Sequence, residues 1–91
     1  MTASIPSPAS ASAIRFDDVY TRKVGGEGYT YTLHYLPGTR VEWQALVFRD
    51  GDLKGRPSGV LVDNALSDSA LRQQLVAQIE ITIEGMVGIE E

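Results

Sequence analysis

The segment Tyr29–Leu36 reads YTYTLHYL, in which tyrosine or leucine alternates with threonine and histidine. Because successive side chains of a β-strand point to opposite sides of a sheet, this spacing predicts a strand with one buried face. Tyrosine and threonine are also residue types that strands favour. The side chains expected on the buried face are Tyr29, Tyr31, Leu33 and Tyr35.

Other segments of the chain predict neighbouring strands. Residues 16–24 and 40–49 also alternate between apolar and polar side chains. A short arm near residues 53–55 is followed by an apolar segment, residues 60–62, that is typical of a buried strand. Together these segments predict an antiparallel four-stranded sheet.

The turns between the strands suggest how the strands pair. Gly25–Gly28, Pro37–Thr39 and Asp50-Gly51 contain residue types that tight turns prefer. A slip of one residue would move a strand's apolar side chains to the wrong face, so the register must keep the apolar faces together. The expected pairs are Val24 with Tyr29, Tyr20 with Leu33, Tyr35 with Val41, and Phe48 with Leu53. The expected common face consists of Tyr20, Tyr29, Tyr31, Leu33, Tyr35, Val41, Trp43, Ala45 and Val47.

The C-terminal third of the chain predicts an amphipathic helix. Ser67, Asp68 and Ser69 are suitable N-terminal capping residues, and from Leu71 onward the apolar residues recur at helical spacing to about Gly85. Residues 79–84 also alternate, so the last third of the helix could instead be a fifth strand. With the helix packed on one sheet face, the fold class is α+β, a β-β-β-β-α two-layer sandwich.

Composition limits the domain organisation and the location. Residues 1–13 are rich in serine, alanine and proline and predict a disordered tail, which leaves residues 14–91 as a single domain. The chain has no cysteine, which excludes disulfides and thiol chemistry. No segment has the pattern of a secretion signal or the length of a membrane span. We therefore expect a cytoplasmic protein.

The charge distribution argues against nucleic acid as a partner. Residues 1–62 are nearly balanced, with seven basic and six acidic side chains, whereas residues 63–91 have only Arg72 against six acidic side chains. The acidic part would repel a phosphate backbone, and the remainder is too close to neutral to bind one strongly.

No catalytic, metal-binding or cofactor-binding motif is evident. The glycines of Gly25–Gly28 lie between two strands, whereas a phosphate-binding loop lies between a strand and a helix. His34 is the single histidine, so no His-based metal site has a second histidine ligand. Glu42 and Thr32 could lie near it on the sheet, but such an arrangement is commonplace, and an exposed strand histidine is the expected interpretation. Asp50 is explained by its turn. The sequence predicts no cofactor, no metal and no catalytic residues.

Surplus apolar residues favour binding over chemistry. One helix covers one sheet face, but several apolar residues fall outside the expected core, and exposed apolar clusters often mark interfaces. We therefore expect a non-enzymatic interaction module that binds a protein partner or forms a homodimer. One alternative is a small-ligand binder or weak enzyme that uses the tyrosine-rich face with His34. A second is an acidic mimic of nucleic acid that binds a basic partner. The candidate interface residues are Leu36, Leu46, Phe48, Leu53 and Ile81.

Overall fold

The computed structural model describes residues 13–91 and confirms the α+β class. An antiparallel sheet is followed by one helix of 17 residues. The predicted tail, residues 1–13, lies outside the described residues except for Ala13. The elements are β1 (Ile14–Thr21), β2 (Gly28–Tyr35), β3 (Val41–Arg49), β4 (Asp52–Gly55), β5 (Ser58–Leu61) and α1 (Asp68–Glu84).

Strand β3 lies at the centre of the sheet. On one side it pairs with β2, which pairs in turn with β1, and on its other side it pairs with both β4 and β5. One register continues from β4 to β5 along β3, since Val47 pairs with Gly55 and Gln44 pairs with Ser58. Between these two pairs, the Ala45 amide donates to the Pro57 carbonyl at 2.8 Å. Thus β4 and β5 behave as one outer strand with an irregularity near its start.

The predicted buried face is confirmed, although two of the predicted registers are wrong. Tyr20 lies opposite Tyr29, four residues from the expected pairing, because a hydrogen bond of 2.8 Å from the Arg22 amide to the Glu27 carbonyl closes a longer turn. Tyr35 lies opposite Trp43, two residues from the expected pairing. Both shifts are even numbers, so every side chain keeps its predicted face. The third prediction, Phe48 opposite Leu53, is correct.

The helix α1 covers the tyrosine-rich face along its whole length. It buries one side chain per turn and is continuous to Glu84, so the alternative of a final strand at residues 79–84 is wrong. The alternating sequence pattern of residues 79–84 is misleading as a sign of a strand. Ile79 and Ile83 are fully buried while Ile81 is 65% exposed, and burial at every fourth residue is typical of a helix. The buried helix residues are Leu71, Leu75, Ile79 and Ile83.

The predicted strand at residues 60–62 is only partly correct. Strand β5 begins at Ser58 and ends at Leu61, and Val60 and Val62 are 50% and 57% exposed. Only Leu61 packs against the core. The segment is therefore an outer strand rather than a buried one.

The chain after α1 folds back onto β4. Met86 adopts a left-handed backbone with φ of 55°, which ends the helix, and Ile89 then enters the core with 6% exposure. The Glu90 amide donates to the Lys54 carbonyl at 2.7 Å. This C-terminal segment, residues 86–91, covers the edge of β4. Sequence reasoning did not place Ile89 in the core.

Candidate functional site

The sheet face opposite α1 is a candidate binding surface. The only helix among residues 13–91 packs on the tyrosine-rich side, and no secondary-structure element of that part of the chain lies on the other side. We call this second side the open face. Its side chains come from alternate positions of each strand, and all of them are half-buried or exposed.

An apolar row crosses one end of the open face. The register aligns Val19 with Thr30, Thr30 with Phe48, and Phe48 with Leu53. Val19 is 63% exposed and Leu53 is 36% exposed, while Phe48 is half-buried. Phe48 and Leu53 are direct cross-strand neighbours, and Thr30 lies between Phe48 and Val19 in the same row.

The next row of the open face has opposite charges at its two ends. Asp17 lies opposite Thr32, and Thr32 lies opposite Leu46. The shared register of β4 and β5 places Arg56 beside Leu46 on the outer strand. A hydrogen bond from Thr32, together with Arg15 at 3.3 Å, holds the pKa of Asp17 below its usual value, so Asp17 carries its negative charge at neutral pH.

The five predicted interface residues do not form one surface. Leu46, Phe48 and Leu53 lie together on the open face. Leu36 is half-buried and follows the end of β2, at the opposite end of the sheet. Ile81 lies on the outer side of α1, and the sheet separates it from the open face. Sequence reasoning missed Val19 because its prediction placed β1 four residues out of register.

His34 and the tyrosines lie on opposite sides of the sheet. His34 borders a cleft of about 380 Å³ that Glu42, Gln44 and Ser58 also line. The tyrosine-rich face lies beneath α1, and its residues Tyr29, Tyr31 and Tyr35 are 1–3% exposed. The structure therefore does not bring His34 and the tyrosine-rich face together into one site.

The hydroxyl of Tyr31 is buried in the core. Among the described residues it has no hydrogen-bond partner. Burial raises the pKa of Tyr31, with a smaller contribution from the charge of Glu80, so this phenol stays protonated.

The most extensive polar network attaches the turn after β1 to the end of α1. Glu84 Oε1 accepts hydrogen bonds from the Tyr20 hydroxyl at 2.6 Å and from the Lys23 amide at 2.9 Å. Arg22 donates to the Glu84 carbonyl at 3.1 and 3.2 Å and forms an ion pair with Glu27 at 2.8 Å. A cation at a helix C-terminus is favourable because the last carbonyls carry partial negative charge. The network has a structural explanation.

We expect the Glu84 carboxylate to make the free energy of unfolding depend on pH. The hydrogen bonds from Tyr20 and from the Lys23 amide lower the pKa of Glu84 in the folded protein. Its contribution to stability is therefore complete above the ordinary carboxyl pKa and is lost as the pH falls through the lowered value. Urea unfolding of the wild type and of Glu84→Gln, measured in steps from pH 7 to pH 3, should give free energies of unfolding that converge at acid pH. A difference that is the same at every pH would contradict this assignment.

Within residues 13–91 there is no cluster of acidic, histidine or cysteine side chains that could hold a metal ion. In the same part of the chain no helix has the length and apolar character needed to cross a membrane.

Comparisons with protein-family models, with curated proteins and with solved structures give no significant match.

Proposed function

We propose that the protein is a small, non-enzymatic interaction module that acts as a homodimer, and that the open face is where a second copy binds. The observation that carries the proposal is the apolar row of Val19, Phe48 and Leu53 on a sheet face that α1 does not cover. A small domain gains considerable stability when such a surface is buried.

The charges of the open face support a second copy as the occupant. In a face-to-face dimer whose two-fold axis runs along the strands, β1 of one copy lies over the outer strand of the other. Asp17 of each copy then lies over Arg56 of its partner, because these residues are at opposite ends of one row. Val19 similarly lies over Leu53. The face is thus self-complementary in both charge and apolar character.

The test is the mass in solution of the wild type and of Phe48→Glu. Sedimentation equilibrium should give the mass of two 9.9-kDa chains for the wild type. Because Phe48→Glu would bury an unpaired charge between the copies, we expect dimerisation at least about tenfold weaker. The matched control is Ile81→Glu, which makes the same kind of change at a 65% exposed position on the far side of the molecule and should leave the dimer intact.

A charge exchange tests the orientation of the two copies. Asp17→Arg alone should weaken the dimer by like-charge repulsion with Arg56, and the double variant Asp17→Arg with Arg56→Asp should restore it. A wild type that is monomeric at millimolar concentration would refute the proposal. A dimer that dissociates with Ile81→Glu and not with Phe48→Glu would refute the open face as its interface.

A further inference from the structure

The two outer edges of the sheet differ in how they are protected. The β1 edge carries charged side chains at Arg15, Asp17 and Asp18, a common means of preventing unwanted strand pairing. The edge of β4 is occupied by the C-terminal segment, through the hydrogen bond from the Glu90 amide to the Lys54 carbonyl. Among residues 13–91 no segment pairs with the outer edge of β5, and Ser58–Leu61 contains no charge.

Within the described part of the chain, backbone groups of β5 at this edge have no hydrogen-bond partner. The Pro57 carbonyl accepts a hydrogen bond from Ala45, so it points towards β3. In an antiparallel ladder the direction alternates with each residue, so the amide and carbonyl groups of Ser58 and Val60 point away from β3. Among the described residues β5 pairs only with β3. A further extended strand is the partner that would satisfy such groups.

A cleft of about 220 Å³ borders the same edge on the helix side. Gly59 packs closely against the Trp43 ring there, since a Cβ at this position would lie 2.9 Å from that ring. The cleft is apolar at its base and has side-chain amides at its rim, and none of its residues is ionisable. Its lining consists of Trp43, Ser58, Gly59, Val60, Leu61, Gln74, Leu75 and Gln78.

We propose that the outer edge of β5 binds an extended, uncharged segment of a different polypeptide by antiparallel strand addition. Backbone hydrogen bonds to Ser58 and Val60 supply the affinity, and an apolar side chain that faces Gly59 enters the cleft beside Trp43. Side chains of the added strand alternate between the two faces, so every second one is directed towards the helix side.

A different polypeptide fits this edge better than another copy of the chain does. The proposed function already uses the open face for a second copy. A second two-fold contact at the edge would join those dimers into open-ended chains, whereas a different polypeptide leaves a finite assembly. In this respect alone the inference rests on the proposed function.

The test uses the full-length protein and a capped peptide of about eight residues, in which valine and threonine alternate and one leucine stands at the centre. Trp43 is the only tryptophan and borders the cleft, so its fluorescence reports binding directly. We expect a saturable shift of the emission maximum with the wild type. Proline next to the central leucine, at the peptide residue opposite Val60, should weaken binding at least about tenfold, because it removes an amide that donates to β5.

Variants of the protein separate this inference from the proposed dimer. Val60→Pro removes an amide that points outward and should abolish binding, while its control, Val60→Thr, should bind as the wild type does. Phe48→Glu should bind the peptide normally even where it no longer dimerises. If Val60→Pro fails to fold, the proline-containing peptide still tests the mechanism.

Two peptide results would overturn the inference: no fluorescence shift at millimolar peptide, or equal binding of the peptides with and without proline. It would also be overturned if the wild type binds no peptide but self-associates, and Val60→Pro abolishes that self-association. The last result would mean that a second copy occupies the edge.

Discussion

Ile79→Ala should reduce the free energy of unfolding by about 2–5 kcal/mol, the range expected when a large side chain is removed from a packed core. Ile79 is 0% exposed on the face of α1 that packs on the sheet. A domain of this size is stabilised by roughly 4–12 kcal/mol in total, so the loss is a large fraction of its stability. Urea unfolding followed by circular dichroism measures the difference.

The matched control is Ile81→Ala, two residues further along the same helix. Ile81 is 65% exposed, so its truncation should change the free energy of unfolding by less than about 0.5 kcal/mol. The pair also distinguishes helix from strand in solution. In a strand Ile79 and Ile81 would share one face and respond alike, so equal losses would contradict the helical assignment.

The sequence was most informative about side-chain faces. Strict alternation placed Tyr29, Tyr31 and Leu33 correctly in the core, and this assignment did not depend on the register. The register itself was harder to predict, because the Arg22–Glu27 turn closes through a hydrogen bond that composition does not reveal. Two errors of even size left the faces correct and the pairings wrong.

Long-range contacts were the least predictable part. Ile89 lies beyond Gly85 and Gly88 at the end of the apolar helical pattern, and nothing local indicates that it returns to the core beside Gly55. Arg22 and Glu84 are 62 residues apart and meet only because α1 ends above the turn after β1. Such contacts follow from the completed topology rather than from any local pattern.

The candidate surface was also only partly predictable. Leu46, Phe48 and Leu53 were grouped correctly, since one two-residue turn sets the pairing of Phe48 with Leu53. Ile81 was grouped with them because it is an apolar residue outside the expected core, as they are. The sequence does not show that the apolar residues left out by the helix and those left out by the sheet lie on opposite sides of the molecule. Its position on the outer side of α1 makes it a control for the proposed interface.

The second large effect is expected at Gly55, where the C-terminal segment crosses the outer strand. A Cβ on Gly55 would lie 2.6 Å from Ile89 Cδ1 and 2.8 Å from the Gly88 carbonyl oxygen. Because one of these neighbours is backbone, a rotation of Ile89 alone cannot make room, and Gly55→Ala should cost about 1–3 kcal/mol and expose the Glu90 amide to hydrogen exchange.

Gly85→Ala is the control for Gly55→Ala. Its Cβ would meet its nearest neighbours at 3.5 and 3.6 Å, and Gly85 has a helical backbone with φ of −84°. Alanine costs less conformational entropy than glycine on folding, so this variant should be neutral or more stable by up to about 1 kcal/mol. If both variants unfold at the same urea concentration as the wild type, with slow exchange preserved at the Glu90 amide, the C-terminal segment does not pack against β4 in solution. A loss confined to Gly55→Ala would instead establish that residues 86–91 are part of the folded core, a role that their sequence does not reveal.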